Sequence, residues 1–67
     1  MIIIGGLYRY YKGGLFVIKE LIMYRSKRYV IFYNVKNPIK FFYKEASYFN
    51  RTKKINNRKR KIFEHLV

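Results

Sequence analysis

Residues Leu7 to Phe16 read LYRYYKGGLF, and the reading of this stretch decides the fold. Leu7, Arg9 and Tyr11 share one side of an alternating pattern, and Tyr8, Tyr10 and Lys12 share the other. Tyrosine favours strands, and a period of two is the strand signal. Gly13-Gly14 then offers two positions free to take positive φ, as a tight primed turn requires. The stretch therefore predicts a strand, a tight turn and the start of a second strand. A phosphate loop is a poor alternative. It needs G-x-x-x-x-G-K-S/T, and a dinucleotide site needs G-x-G-x-x-G. Neither Gly5-Gly6 nor Gly13-Gly14 fits.

The pattern continues outward. Leu15 to Arg25, LFVIKELIMYR, is again β-like but long for one strand, so a bend or bulge is expected near Lys19-Glu20. Arg25 to Arg28 is a polar break. Tyr29 to Val35, YVIFYNV, is apolar on both faces and so should be central in a sheet. Asn37-Pro38 marks a turn, and Lys40 to Ala46 forms a fourth strand. Ser47 to Asn50 carries a short turn with an edge contact through Tyr48 and Phe49.

From Arg51 the character changes. Residues 51–61, RTKKINNRKRK, hold seven cations and no acid. Asn56 or Asn57 could cap a short helix. Ile55, Ile62, Phe63 and Leu66 would share one face of it. Like charges weaken such a helix, so a basic tail is the other expectation. The predicted fold is mostly β, a small, strongly bent four- or five-stranded antiparallel sheet or SH3-like barrel. Residues 1–50 form the β domain, and residues 51–67 form a basic C-terminal helix or tail.

Composition sets the bounds. A chain of 67 residues is one domain, and at this size folding buries only about 60% of the unfolded surface. There is no cysteine, so packing alone must hold the core. Fourteen aromatic residues supply the material, and about three-quarters of them are expected inside. The net charge is +13, from sixteen Lys and Arg against three acids. Charge of that density repels itself, and a polyanion relieves it. Nucleic acid, an anionic membrane surface or an acidic protein would serve. MIII is too short for a signal peptide or a span, and no other run is long enough, so no membrane span and a cytoplasmic location are expected. Phe, Tyr, Met, Ile, Asn and Lys make up 40 of the 67 residues, a bias that suits an AT-rich genome such as that of a phage.

Catalysis lacks its parts. His65 is the one histidine, there is no Asp to orient it and no Cys to act as nucleophile. Glu20, Glu45 and Glu64 are far apart in sequence. No enzyme, metal site or cofactor is expected. His65 would do no more than favour the dipole of a helix end.

Binding has better material. Arg51, Lys53, Lys54, Arg58, Lys59, Arg60 and Lys61 form a run suited to phosphate backbone, with Arg9 and Lys12 as further cations. Tyr8, Tyr10 and Tyr43 are candidate aromatic contacts, because rings beside cations can stack bases while the cations track phosphates. The same mixture makes a protein-binding surface. The expected function is a non-enzymatic module associating with nucleic acid, RNA or DNA. The alternative is a small regulatory or inhibitory protein, phage-encoded in one version, that docks on a larger acidic or nucleic-acid-handling protein.

YRYYKGGLFVI also resembles the opening Y-R-H-Y-K-G-x-x-Y-x-V of a small bacterial and phage domain family of unknown function. In that family a V-V-Y strand and an L-W-x-R-P-x-x-x-F segment follow. Here YVIFY, Tyr29 to Tyr33, and FFYKEASYF, Phe41 to Phe49, stand in those places, so the resemblance covers residues 7–50. Tyr10 replaces the usual histidine, and Phe42 to Glu45 replace the tryptophan-containing segment. The resemblance implies a compact SH3-like β domain and no particular activity.

Overall fold

The computed structural model describes residues 2–67. It contains seven strands, β1 (Leu7–Tyr10), β2 (Leu15–Tyr24), β3 (Lys27–Asn34), β4 (Asn37–Glu45), β5 (Thr52–Ile55), β6 (Arg58–Lys61) and β7 (Phe63–His65). A 3-10 turn, Ala46–Asn50, separates β4 from β5. Five strands form one antiparallel sheet in the order β4-β3-β2-β1-β7. The other two, β5 and β6, form a separate two-stranded ribbon.

The β1–β2 connection carries the expected backbone at Gly13 and Gly14, with φ of 106° and 97°. It is wider than a two-residue turn. Arg9 pairs with Leu15, Gly13 N–H donates to the Tyr10 carbonyl, and Tyr11 and Lys12 take the centre of the turn. The bulge in β2 falls where expected. Ile18 faces Phe32 and Glu20 faces Ile31, leaving Lys19 as the extra residue. A bulge bends its strand and sharpens the twist. β3 lies between β2 and β4, as its two apolar faces require. The β3–β4 turn is centred on Val35 and Lys36 rather than Asn37-Pro38, and the Asn34 side-chain oxygen accepts from the Lys36 N–H at 2.8 Å. Pro38 sits inside β4, an edge strand, where a missing donor is tolerated.

The C-terminal segment departs most from expectation. It forms neither a helix nor a tail. Asn56 and Asn57 adopt φ of 50° and 64° and make a two-residue turn between Ile55 and Arg58. Asparagine tolerates this left-handed conformation far better than most residues. Phe63–His65 then pairs along the outer edge of β1, with Tyr8 opposite His65 and Tyr10 opposite Phe63. Without that pairing β1 would present an open edge. The sheet's fifth strand is therefore built from the segment with the helical apolar spacing.

The core is aromatic. Tyr8, Ile18, Val30, Phe32, Phe49, Ile62 and Phe63 are buried, and Tyr10, Tyr11, Phe16 and Tyr48 pack against them. Eight of the fourteen rings thus lie in or against the core, fewer than expected. Phe49 of the 3-10 turn stacks on Phe63 of β7 at 4.4 Å between ring centres. Phe32 of β3 meets both rings edge-on, at 5.2 and 5.7 Å. One cluster of rings so joins the middle of the sheet to its last strand and to the turn that leads into the ribbon.

Candidate nucleic-acid interface

The ribbon holds six of the seven cations of residues 51–61 on two strands of four residues each, with Arg51 at its base. Its register sets their faces. Thr52 opposes Lys61, Lys53 opposes Arg60, Lys54 opposes Lys59, and Ile55 opposes Arg58. Cross-strand partners share a face and successive residues alternate. Lys54, Lys59 and Lys61 therefore lie on one face, and Lys53, Arg58 and Arg60 on the other. Two pairs place cation directly against cation. Such pairs are destabilising, and an isolated two-stranded hairpin is marginal in water to begin with. No carboxylate in the ribbon offsets them.

The ribbon is held at its base. Ile62 N–H donates to the Arg51 carbonyl at 3.1 Å, and Tyr11 N–H donates to the Ile62 carbonyl at 2.9 Å. The Lys53 ammonium donates to the Tyr11 hydroxyl at 3.1 Å and lies 5.2 Å from the ring centre. Lys12 flanks the same ring at 5.7 Å. The Lys53 hydrogen bond, helped by the charges of Lys12 and Lys53, holds the Tyr11 phenol below its ordinary value of 10.0. The same bond raises Lys53 above 10.5. Tyr48 is flanked likewise, by Lys44 at 5.1 Å and Arg51 at 5.5 Å. Arg9, Tyr10, Tyr11, Lys59, Arg60, Lys61 and Glu64 line an open cleft of about 410 Å³ beside the ribbon. Glu64 lies 3.7 Å from Arg9, the one ion pair among the described residues.

The expected site residues divide. Arg9 and Lys12, some forty residues earlier in sequence, are brought to the ribbon. Tyr10 lines the cleft but is half-buried, packed on Phe63 at 5.0 Å, and burial raises its phenol above 10.0. Tyr8 is only 4% exposed and belongs to the core, stacked on His65 at 4.9 Å, so its ring offers no surface to a base. Its phenol is likewise pushed up by burial. Tyr43 is 72% exposed but lies on the opposite side of the sheet from the core. Tyr11 and Tyr48 were not among the aromatic contacts expected from the sequence, which offered Tyr48 only an edge contact. For Tyr11 the signal in the sequence was its place immediately before Lys12-Gly13, at the tip of the expected hairpin.

Tyr43 belongs to a second surface. By register Ile22, Tyr24, Ile31, Tyr33, Phe41 and Tyr43 share the outer face of β2, β3 and β4. Tyr24, Phe41 and Tyr43 are each about half exposed or more. Lys19 lies 4.6 Å over Phe41, and Arg25 lies 5.2 Å over Tyr24. Lys40 and Lys44, which the sequence places beside Tyr43, alternate to the other face, over Phe42 and Tyr48.

Among the described residues no three His, Cys, Asp or Glu side chains converge, and no helix is long and apolar enough to cross a membrane. Comparison with protein-family models, curated proteins and solved structures returned no match. The functional reading rests on the geometry.

Proposed function

We propose that the chain is a non-enzymatic module that binds nucleic acid through the phosphate backbone. The observation that carries this is the ribbon. Its cations face one another across the strands without an acid, an arrangement that costs stability unless an anion lies against it. Phosphates release the counterions such a surface holds, which gives affinity without sequence preference. Arg9 and Lys12 extend the cationic surface onto the sheet. The scaffold is read as SH3-like, supported by its sheet order, its bent β2 and the 3-10 turn before the closing strands.

The test is a titration of a labelled oligonucleotide at several salt concentrations. If about five cations meet phosphates, log affinity should fall against log salt with a slope near −3.5 to −4.5. Replacing Arg58, Lys59, Arg60 and Lys61 with Gln should remove most of that slope. No binding by the intact chain at about 50 mM salt, where such contacts are strong, defeats the reading.

A second reading rests on the outer face of β2, β3 and β4. Exposed rings there, rimmed by Lys19 and Arg25, suit a protein partner with an apolar centre and an acidic rim. Such a complex would survive nuclease and high salt and would be lost on changing Phe41 and Tyr43 to Ser.

A further inference from the structure

We infer that the nucleic acid is duplex DNA, with the β5–β6 ribbon lying in its major groove and the cleft at the ribbon's base against one groove-edge backbone. This rests on the nucleic-acid reading and names the substrate within it.

Shape is the first argument. Paired strands lie about 4.8 Å apart, and four residues of strand span about 13 Å. The B-form major groove, about 12 Å wide and 8.5 Å deep, admits a two-stranded β-ribbon. The major groove of an RNA duplex is deep and too narrow for side chains to read.

Composition is the second. Binding to single strands relies on rings that stack bases. The ribbon has none. Of the rings at its base, Tyr11 is flanked by Lys12 and Lys53, Tyr48 by Lys44 and Arg51, and Tyr10 is packed into the core edge. The exposed rings Tyr24, Phe41 and Tyr43 stand on the outer face of another sheet.

Charge placement is the third. A ribbon resting on a flat surface needs cations on one face. This ribbon has Lys54, Lys59 and Lys61 on one and Lys53, Arg58 and Arg60 on the other. A groove has a phosphate wall on each side, so both faces meet backbone. Arg9 and Arg60 at the cleft then continue one wall toward the sheet, and Lys61 turns to the other.

The experiment uses the full chain and fluorescence anisotropy. The probes are duplex DNA, duplex RNA and single-stranded DNA of matched length and sequence. Duplex DNA should bind at least tenfold tighter than either other probe. Methyl green, which occupies the major groove, should displace the protein, and netropsin, which occupies the minor groove, should not. Two double variants, Lys54→Gln with Lys59→Gln and Arg58→Gln with Arg60→Gln, should each reduce the steepness of the salt slope by about 1.8, two phosphate contacts apiece. Equal or tighter binding of single strands or duplex RNA overturns the duplex-DNA assignment while the nucleic-acid reading stands. Displacement by netropsin alone, or a silent double variant, overturns the placement in the groove. Binding to none of the three probes removes both readings.

Discussion

Phe49→Ala should remove a large share of the chain's stability. Phe49 is 2% exposed, and its ring lies 4.4 Å from that of Phe63, 5.2 Å from Phe32 and 5.4 Å from Tyr8. Truncating a buried Phe to Ala typically costs about 3–5 kcal/mol. A chain of 67 residues, at about 0.05–0.15 kcal/mol per residue, has a total stability of roughly 3–10 kcal/mol. The loss is therefore between about a third of the total and all of it. Phe49→Leu is the informative variant, because it keeps apolar volume and removes only the ring contacts. Each aromatic pair is worth about 0.5–1.5 kcal/mol beyond area, so losing the three ring contacts should cost about 1.5–4.5 kcal/mol. At about 4–8 °C per kcal/mol, the melting midpoint should fall by roughly 6–36 °C. Thermal and urea melts followed by circular dichroism would measure it, with an unchanged m-value showing that only stability moved. If the chain binds duplex DNA as proposed, adding it at about 100 times its dissociation constant should return about 2.7 kcal/mol and offset much of the Phe49→Leu loss. An unchanged midpoint in Phe49→Ala would refute the claim that the ring cluster around Phe49 joins the sheet to the turn that leads into the ribbon.

Gly14→Val should lower stability by about 1–3 kcal/mol, because a β-branched residue is strained at positive φ. The φ there is 97°, and a Cβ would lie 3.3 Å from the Asn34 side-chain nitrogen and the Phe16 ring. A melting curve matching wild type would contradict the turn geometry. Alkaline pH should destabilise the fold through Tyr8. Burial raises its folded value above 10.0, so its contribution is complete below pH 10.0 and is lost as pH rises through the folded value. Tyr8→Phe should flatten that decline in urea melts run across the alkaline range, and a decline as steep as wild type would assign it to other groups.

Local pattern in the sequence was enough for β1, for positive φ at Gly13 and Gly14, for the bulge at Lys19 and for the interior position of β3. Each follows from a short-range cause, an alternation, a missing Cβ or an apolar run, that acts within one strand or turn. The cationic character of residues 51–61 was equally plain, because charge needs no fold to be counted. The shape that carries the charge was not. Ile55, Ile62, Phe63 and Leu66 fit a helical face, yet Asn56-Asn57 turned back on itself and Phe63–His65 completed the open edge of β1. Alternation likewise showed that Tyr8 and Tyr10 share a face but not how deeply either is buried. That depends on Phe49 packing against Tyr8 and Phe63 against Tyr10, segments distant in sequence. The gathering of Arg9, Lys12, Lys53 and Arg60 at one cleft and one tyrosine has the same origin. Edge pairing and ring packing join segments distant in sequence, and only the folded chain chooses among the partners that local propensity leaves open.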